Sequence, residues 1–155
     1  MSTTSILAPV RGRAVALPDV PDPIFSQGMV GFGAAIDPPR EVIEAVAPVA
    51  GKIMKLYPHA YIVLTPENVG VLVHLGLDTV QLNGEGFTLQ VQEGDEVTAG
   101  QVVVTYDVPA IEATGRNPII PVVVMEKQAD DIVVVDAVTA GAELAALDPL
   151  FSVNG

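Results

Sequence analysis

Apolar residues in this chain come in short runs, and turn words break every one of them. The runs are "ILAPV", "GRAVAL", "KIMKL", "AYIVLT", "VGVLVHL", "FTLQVQ", "QVVVTYD", "IIPVVVM" and "DIVVV". Between them stand "DPPRE", "TPENVG", "LNGEG", "QEGDE" and "TGRNP". Val and Ile favour a pleated, half-buried surface, while Gly, Pro, Asn and Asp supply the turns. Helical candidates are few and short, "VPAIEATG" and "REVIEAVA" being the best. The pattern predicts a single all-β domain, an antiparallel sandwich or barrel, across residues 1–155, with residues 1–5 as a flexible end. A chain of this length can bury a sizeable core.

Two echoes suggest a duplicated β-motif. "APVRGRAVAL" from Ala8 matches "APVAGKIMKL" from Ala47, and "DEVTAGQVVVTYD" from Asp95 matches "DAVTAGAELAALD" from Asp136. Glycine serves the tight turns of such words, and proline serves strand starts and edges.

Composition narrows the function. The formal net charge is -12, and the seven Lys and Arg form no cluster along the sequence, which argues against nucleic acid and anionic membrane surfaces as partners. It favours encounter with a basic protein. Cysteine is absent, which removes disulfides, thiolate metal sites and cysteine nucleophiles. No apolar run approaches the roughly 20 residues of a membrane span. The N-terminal stretch does not read as a secretory signal, so a cytoplasmic location without membrane insertion is expected.

Both histidines of the chain, His59 and His74, flank one apparent hairpin, "HAYIVLT" and "VGVLVH" around "PEN". The midpoint between them falls between Pro66 and Glu67, so a symmetric hairpin sets His59 opposite His74 on one face. On alternation His74 shares its face with Leu72 and Gly70, and His59 shares its face with Tyr61 and Val63. Apolar surroundings keep imidazole neutral. The alternative is that each histidine only satisfies local hydrogen bonds. Two imidazoles alone fall short of a usual zinc site, and although Asp78 could add a third ligand, no spacing demands it. Phosphoryl transfer suits the pair better: one Nε2 attacks phosphorus and the second imidazole steadies the spread of charge. It needs no metal or other cofactor, and the chain has no P-loop.

At these residues a family resemblance enters. "VHLGLDTVQLNGEGF" resembles the phosphorylation-site segment of the glucose-type enzyme IIA proteins of the sugar phosphotransferase system, V-H-F-G-I-D-T-V-x-L-x-G-x-G-F. "PHAY" is similar to their N-H-A-F. "APVRGRAVALPDVPDPIFSQGMVGFG" and "VQEGDEVTAGQVVVTYD" resemble their opening and later segments, so the likeness runs from about residue 6 nearly to the end. It implies an antiparallel β-sandwich of the duplicated-hybrid kind. It implies that His74 accepts a phosphoryl group from HPr and passes it to a cysteine of an enzyme IIB domain ahead of sugar uptake, with His59 as the supporting imidazole. Asp22 and Asp78 match family carboxylates that meet basic partner residues. Pro23, Ile24, Phe25, Met29 and Val30 match the apolar docking rim. Tyr57 stands where the family has a threonine that orients the first histidine, and Pro58, Phe32 and Leu75 also depart from the pattern. Regulatory protein partners are a further expectation. The alternative is a zinc- or partner-binding regulatory β-domain without phosphoryl transfer. A biotinyl-type carrier is a weaker one, because Lys55 lies too far from its "GD" turn.

Overall fold

The computed structural model describes residues 3–154. Fourteen strands and three short helices follow one another along them. The strands are β1 (Thr3–Leu7), β2 (Gly12–Ala16), β3 (Phe32–Asp37), β4 (Val42–Val46), β5 (Gly51–Tyr57), β6 (Ala60–Leu64) and β7 (Gly70–His74), then β8 (Phe87–Leu89), β9 (Glu96–Val97), β10 (Val102–Asp107), β11 (Ile120–Val124), β12 (Ile132–Val134), β13 (Glu143–Leu144) and β14 (Pro149–Asn154). The helices are α1 (Pro23–Ser26), α2 (Val108–Ala113) and α3 (Asp136–Ala140). An eight-stranded sheet runs β13-β2-β3-β11-β7-β6-β5-β9, and two three-stranded sheets run β1-β14-β12 and β4-β10-β8. Every pairing is antiparallel. The all-β expectation holds.

Three details differ from the sequence reading. "REVIEAVA" is strand β4, because its burial alternates with the period of a strand: Ile43 and Ala45 are buried while Val42 and Glu44 are exposed. Residues 3–5, within the segment expected as a flexible end, are paired in β1 against β14, while residues 1 and 2 lie outside the described residues. Strand β3, FGAAID, is rich in Gly and Ala, and β13 is only the pair EL, so both carry little β signal, and β14, PLFSVN, is a further strand the sequence reading did not pick out.

The first echo is structural. β2 starts at Gly12 and β5 at Gly51, both buried, and a Cβ on either would lie 2.4 Å from a carbonyl oxygen, that of Asp37 or of Leu64. Gly12 pairs with Leu144, and Gly51 pairs with Val97. Ahead of each strand, the Ala8 carbonyl accepts from Leu147 N (2.8 Å), and the Ala47 carbonyl accepts from Gly100 N (2.9 Å). The halves cross where Leu7 N donates to Pro48 O and Val46 N donates to Pro9 O, each at 2.9 Å. The second echo is not structural. The shared "VTAG" lies in β9 and the following turn at 97–100, but in α3 and its left-handed cap at 138–141. The partner of the β9 segment is instead the stretch around β13, where Gly141 and Leu147 take the left-handed conformation as Gly94 and Gly100 do.

One face of the eight-stranded sheet carries Ile36, Tyr61, Val63, Val71, Val73, Val122 and Val124 into the main core. Its other face carries Val15, Ala35, Leu72 and Val123 into a smaller cluster closed by Leu17, Val20, Phe25, Leu77 and Ile119. The histidines sit at the edge of this smaller cluster.

Candidate functional site

The two histidines meet, though not by the expected register. Ala60, not His59, stands opposite His74 on β7, and Tyr61 stands opposite Val73. Tyr57 pairs with Ala60, so Pro58 and His59 form the turn between β5 and β6. One residue of slip reverses which face each side chain takes. Tyr61 and Val63 therefore point into the main core, away from the histidines, and are fully buried. His59 reaches His74 from the turn, anchored by Leu75 N donating to the His59 carbonyl at 2.7 Å. The ring centroids lie 5.2 Å apart, edge to face at 73°.

His74 is oriented by its backbone. Its Nδ1 lies 2.6 Å from the Gly76 carbonyl oxygen. A carbonyl only accepts, so Nδ1 carries the proton and Nε2 keeps its lone pair. Gly76 has φ +85, a conformation that suits glycine, and a Cβ there would lie 2.7 Å from Thr79 Cγ2 and 3.0 Å from the Tyr106 hydroxyl. Thr79 Oγ1 donates to Leu75 O at 2.8 Å, Tyr106 Oη donates to Pro118 O at 3.0 Å, and Gly76 N donates to Ile119 O at 3.1 Å. Gly76, Thr79 and Tyr106 thus fix the acceptor of the His74 proton. Gly76 and Thr79 both lie within the "VHLGLDTV" segment and so are signalled in the sequence. Nothing near Tyr106 in the sequence points to the site.

Burial is the largest influence on both imidazoles and lowers their proton affinity. For His59 the neighbouring His74 lowers it further. For His74 the Gly76 hydrogen bond and the charges of Asp22 and Asp78 push the other way without overcoming burial. Both rings are held as neutral bases.

The remaining expected residues gather around them. Asp22 caps α1, its carboxylate accepting from Ile24 N at 3.0 Å. Asp78 is exposed with φ 59, and its side chain caps nothing, while its carbonyl accepts from Arg116 Nε at 3.1 Å. Ile24 and Met29 are 50% and 69% exposed, Pro23 is exposed and Val30 is half-buried. Phe25 differs from the rest of the rim. It is 5% exposed within the smaller cluster, with its ring 5.1 Å from the His74 ring. The first turn of α1 points Phe25 inward and Ile24 outward, so Phe25 is a core residue packed under the imidazole. Tyr57, in place of the family's threonine, lays its ring 5.8 Å from His59 at 31°, and no hydrogen bond holds the His59 imidazole among the described residues.

Residues 4–130 match the family described as phosphoenolpyruvate-dependent sugar phosphotransferase system, EIIA 1. The chain belongs to this family. It is 45% identical over 121 residues to the PTS system glucose-specific EIIA component of Halalkalibacterium halodurans, covering 77% of this chain and 69% of that protein. The protein of the same name from Oceanobacillus iheyensis is 38% identical over 122 residues, covering 77% and 73%. The glucose permease IIA from Mycoplasma capricolum superposes with a TM-score of 0.87 at 30% identity, covering 98% of this chain and 96% of that one. The protein is thus an EIIA phosphocarrier, a phosphotransferase of the sugar phosphotransferase system, with the antiparallel β-fold of that family. Membership places it in general between HPr and a IIB/IIC permease. Among the described residues no helix is long and apolar enough to cross a membrane.

Proposed function

We propose that His74 is the residue that carries the phosphoryl group and that His59 assists it. The observation that carries this reading is the 2.6 Å contact of His74 Nδ1 with the Gly76 carbonyl, made while the His59 ring lies 5.2 Å away. Nδ1 is protonated and occupied, so the Nε2 lone pair is the one available for attack. Nε2 forms a bond to the phosphorus of phosphohistidine on HPr, and the phosphorus–nitrogen bond to HPr breaks. The donor imidazole keeps that electron pair. In the second transfer a thiolate of the IIB domain attacks the same phosphorus, and His74 Nε2 leaves as neutral imidazole. His59 donates an N–H to a phosphoryl oxygen in both steps, where charge is spread over the equatorial oxygens.

Asp22 and Asp78 turn the rim negative and attract basic partner surfaces. Ile24 and Met29, with Pro23 and Val30, form the apolar patch that excludes water when HPr or IIB docks. The site works in the cytoplasm on a single domain, and its two phosphorylation states are readable by regulatory proteins.

Incubation with phosphorylated HPr, followed by intact mass and acid-lability measurement, tests the reading. One acid-labile phosphoryl group is expected on the wild type and none on His74→Gln. Normal labelling of that variant rejects the assignment. His59→Gln is expected to accept the group but to pass it on slowly, because an amide donates a hydrogen bond without the charge an imidazolium can carry. The reverse pair of phenotypes assigns the two roles the other way round.

A further inference from the structure

Three of the four arginines of this acidic chain lie together, away from the histidines. Arg13 and Arg40 line a cavity of about 350 Å³ with Asp19, Asp37, Asn117 and Thr139. An adjoining cavity of about 480 Å³ shares Arg13 and Asp37 with it and adds Arg11. Both volumes fall in the range of about 300–1,000 Å³ in which small-molecule sites are found.

The arginines are not equivalent. Arg11 is held by Glu41. Arg40 is committed, with Nη1 donating to Asp37 Oδ1 and to Pro38 O and Nε donating to Glu112, each at 2.7 Å. Arg13 is not: its closest carboxylate oxygen, Asp37 Oδ2, lies 3.8 Å away, beyond hydrogen-bond reach, and its side chain is 54% exposed. Asn117 uses its side-chain oxygen to accept from Ile119 N at 2.9 Å, which leaves its amide N–H groups uncommitted among the described residues. The Thr139 hydroxyl is uncommitted in the same way. The cavity lining therefore offers a guanidinium, an amide and a hydroxyl as free donors. Asp19 and the far oxygen of Asp37 offer anionic acceptors on the same cavity.

This mixture decides the ligand class. A bare oxyanion would meet Arg13 but be repelled by Asp19 and Asp37. A neutral sugar would satisfy the carboxylates and leave the guanidinium unused. A molecule with an oxyanion at one end and hydroxyl groups along its body satisfies both, because hydroxyls donate to carboxylates and the oxyanion accepts the forked N–H groups of arginine. We infer that the Arg13 cavity binds a small polyhydroxylated oxyanion, a sugar phosphate or a sugar acid. The site also touches the support of His74: the carbonyls of Asn117 and Ile119 accept from Leu77 N and Gly76 N at 2.9 and 3.1 Å.

Glucose 6-phosphate and glucuronate are the probes for titration by NMR and calorimetry on the full chain, with glucose and inorganic phosphate as controls. At least one probe is expected to bind more tightly than either control, shifting the Arg13 Nε, Asn117 side-chain amide and Thr139 resonances, and the better probe identifies the oxyanion. Arg13→Gln should weaken that binding about tenfold or more, as loss of a charge-assisted hydrogen bond does. Its exposed side chain makes the change tolerable to the fold, which a melting curve verifies. Asp19→Asn should weaken the probe, whose hydroxyls lose a carboxylate acceptor, while phosphate, relieved of a repulsive charge, binds no more weakly than before. Binding should persist in His74→Gln. The inference is overturned if neither probe binds at millimolar concentration, if phosphate or glucose alone binds as well, if Arg13→Gln binds normally, or if binding is lost in His74→Gln. None of these outcomes bears on phosphoryl acceptance by His74.

Discussion

His74 and Phe25 share a small apolar cluster, and each has consequences for the other. Phe25 is buried, so Phe25→Ser is expected to cost about 3–5 kcal/mol of stability, as deletion of a buried phenylalanine does. Urea unfolding measures it. Unchanged stability with lost affinity for HPr would instead make Phe25 a docking anchor. Under the proposed reading docking falls to Ile24 and Met29, which are exposed. The same burial makes the histidines sensitive to pH. Both have proton affinities below the ordinary histidine value of 6.5, with burial as the main cause. Above that value folded and unfolded chains are both neutral at these positions, and nothing is lost. As pH falls below it, the unfolded chain takes up protons that the folded site still refuses. Stability therefore declines until the folded proton affinities are reached, then levels off. Between about pH 7 and pH 5 the wild type should lose more unfolding free energy than the His59→Gln, His74→Gln double variant. Equal pH slopes in the two proteins would refute this.

At the scale of elements, the site is made by two turns. The Pro58–His59 turn joins β5 to β6, and the Leu75–Gly76 stretch ends β7. Hairpin turns leave their side chains free of the strict alternation of a strand, which is how His59 meets His74 although neither stands opposite the other. The β5–β6 pairing runs from the Gly51 end to the turn and shifts register at a bulge between Ile53 and Lys55. A Cβ at Gly51 would lie 2.4 Å from Leu64 O, inside the β5–β6 pairing. Gly51→Ala is expected to destabilise the fold by about 1–3 kcal/mol and to lower the melting temperature. Because β5 carries the Pro58–His59 turn, transfer should slow as well. Full stability in that variant would show that the hairpin shifts without cost.

For the molecule as a whole, a net charge of -12 would speed encounter with a basic carrier surface of the kind proposed above. Asp78 lies at the site with its side chain exposed and uncommitted to a cap, and its φ of 59 is one that asparagine also adopts readily. Asp78→Asn should therefore preserve the melting temperature. It should slow association with HPr by up to about fivefold, within the range of single exposed ion pairs. The loss should fade as added salt shortens the screening length from about 10 Å at 0.1 M to about 3 Å at 1 M. Stopped-flow association rates across a salt series would show it. A salt-independent defect, or a lowered melting temperature, would mean that Asp78 serves the local backbone.

Much was legible in the sequence because it is local. Short Val- and Ile-rich runs between turn words specify antiparallel strands. The paired "APV" words mark two equivalent strand starts at Gly12 and Gly51, and "VHLGLDTV" marks the region of the site. Other features depended on contacts far apart in the chain. The strand at β4 looked helical until pairing with β10 set its alternate residues, Ile43 and Ala45, into the main core. The one-residue register between β6 and β7 put Tyr61 in the core and freed His59 from the strand, because pairing is fixed by which side chains the two layers can bury together. Phe25 became core because α1 folds back onto the outer face of the large sheet. Arg11, Arg13 and Arg40, dispersed in the sequence, are gathered on one face by the pairing of β2 with β3 and by the loop after β3. The chemistry of single residues can be read in order along the chain, but the neighbours that give them their proton affinities and free hydrogen bonds are supplied only by the tertiary structure.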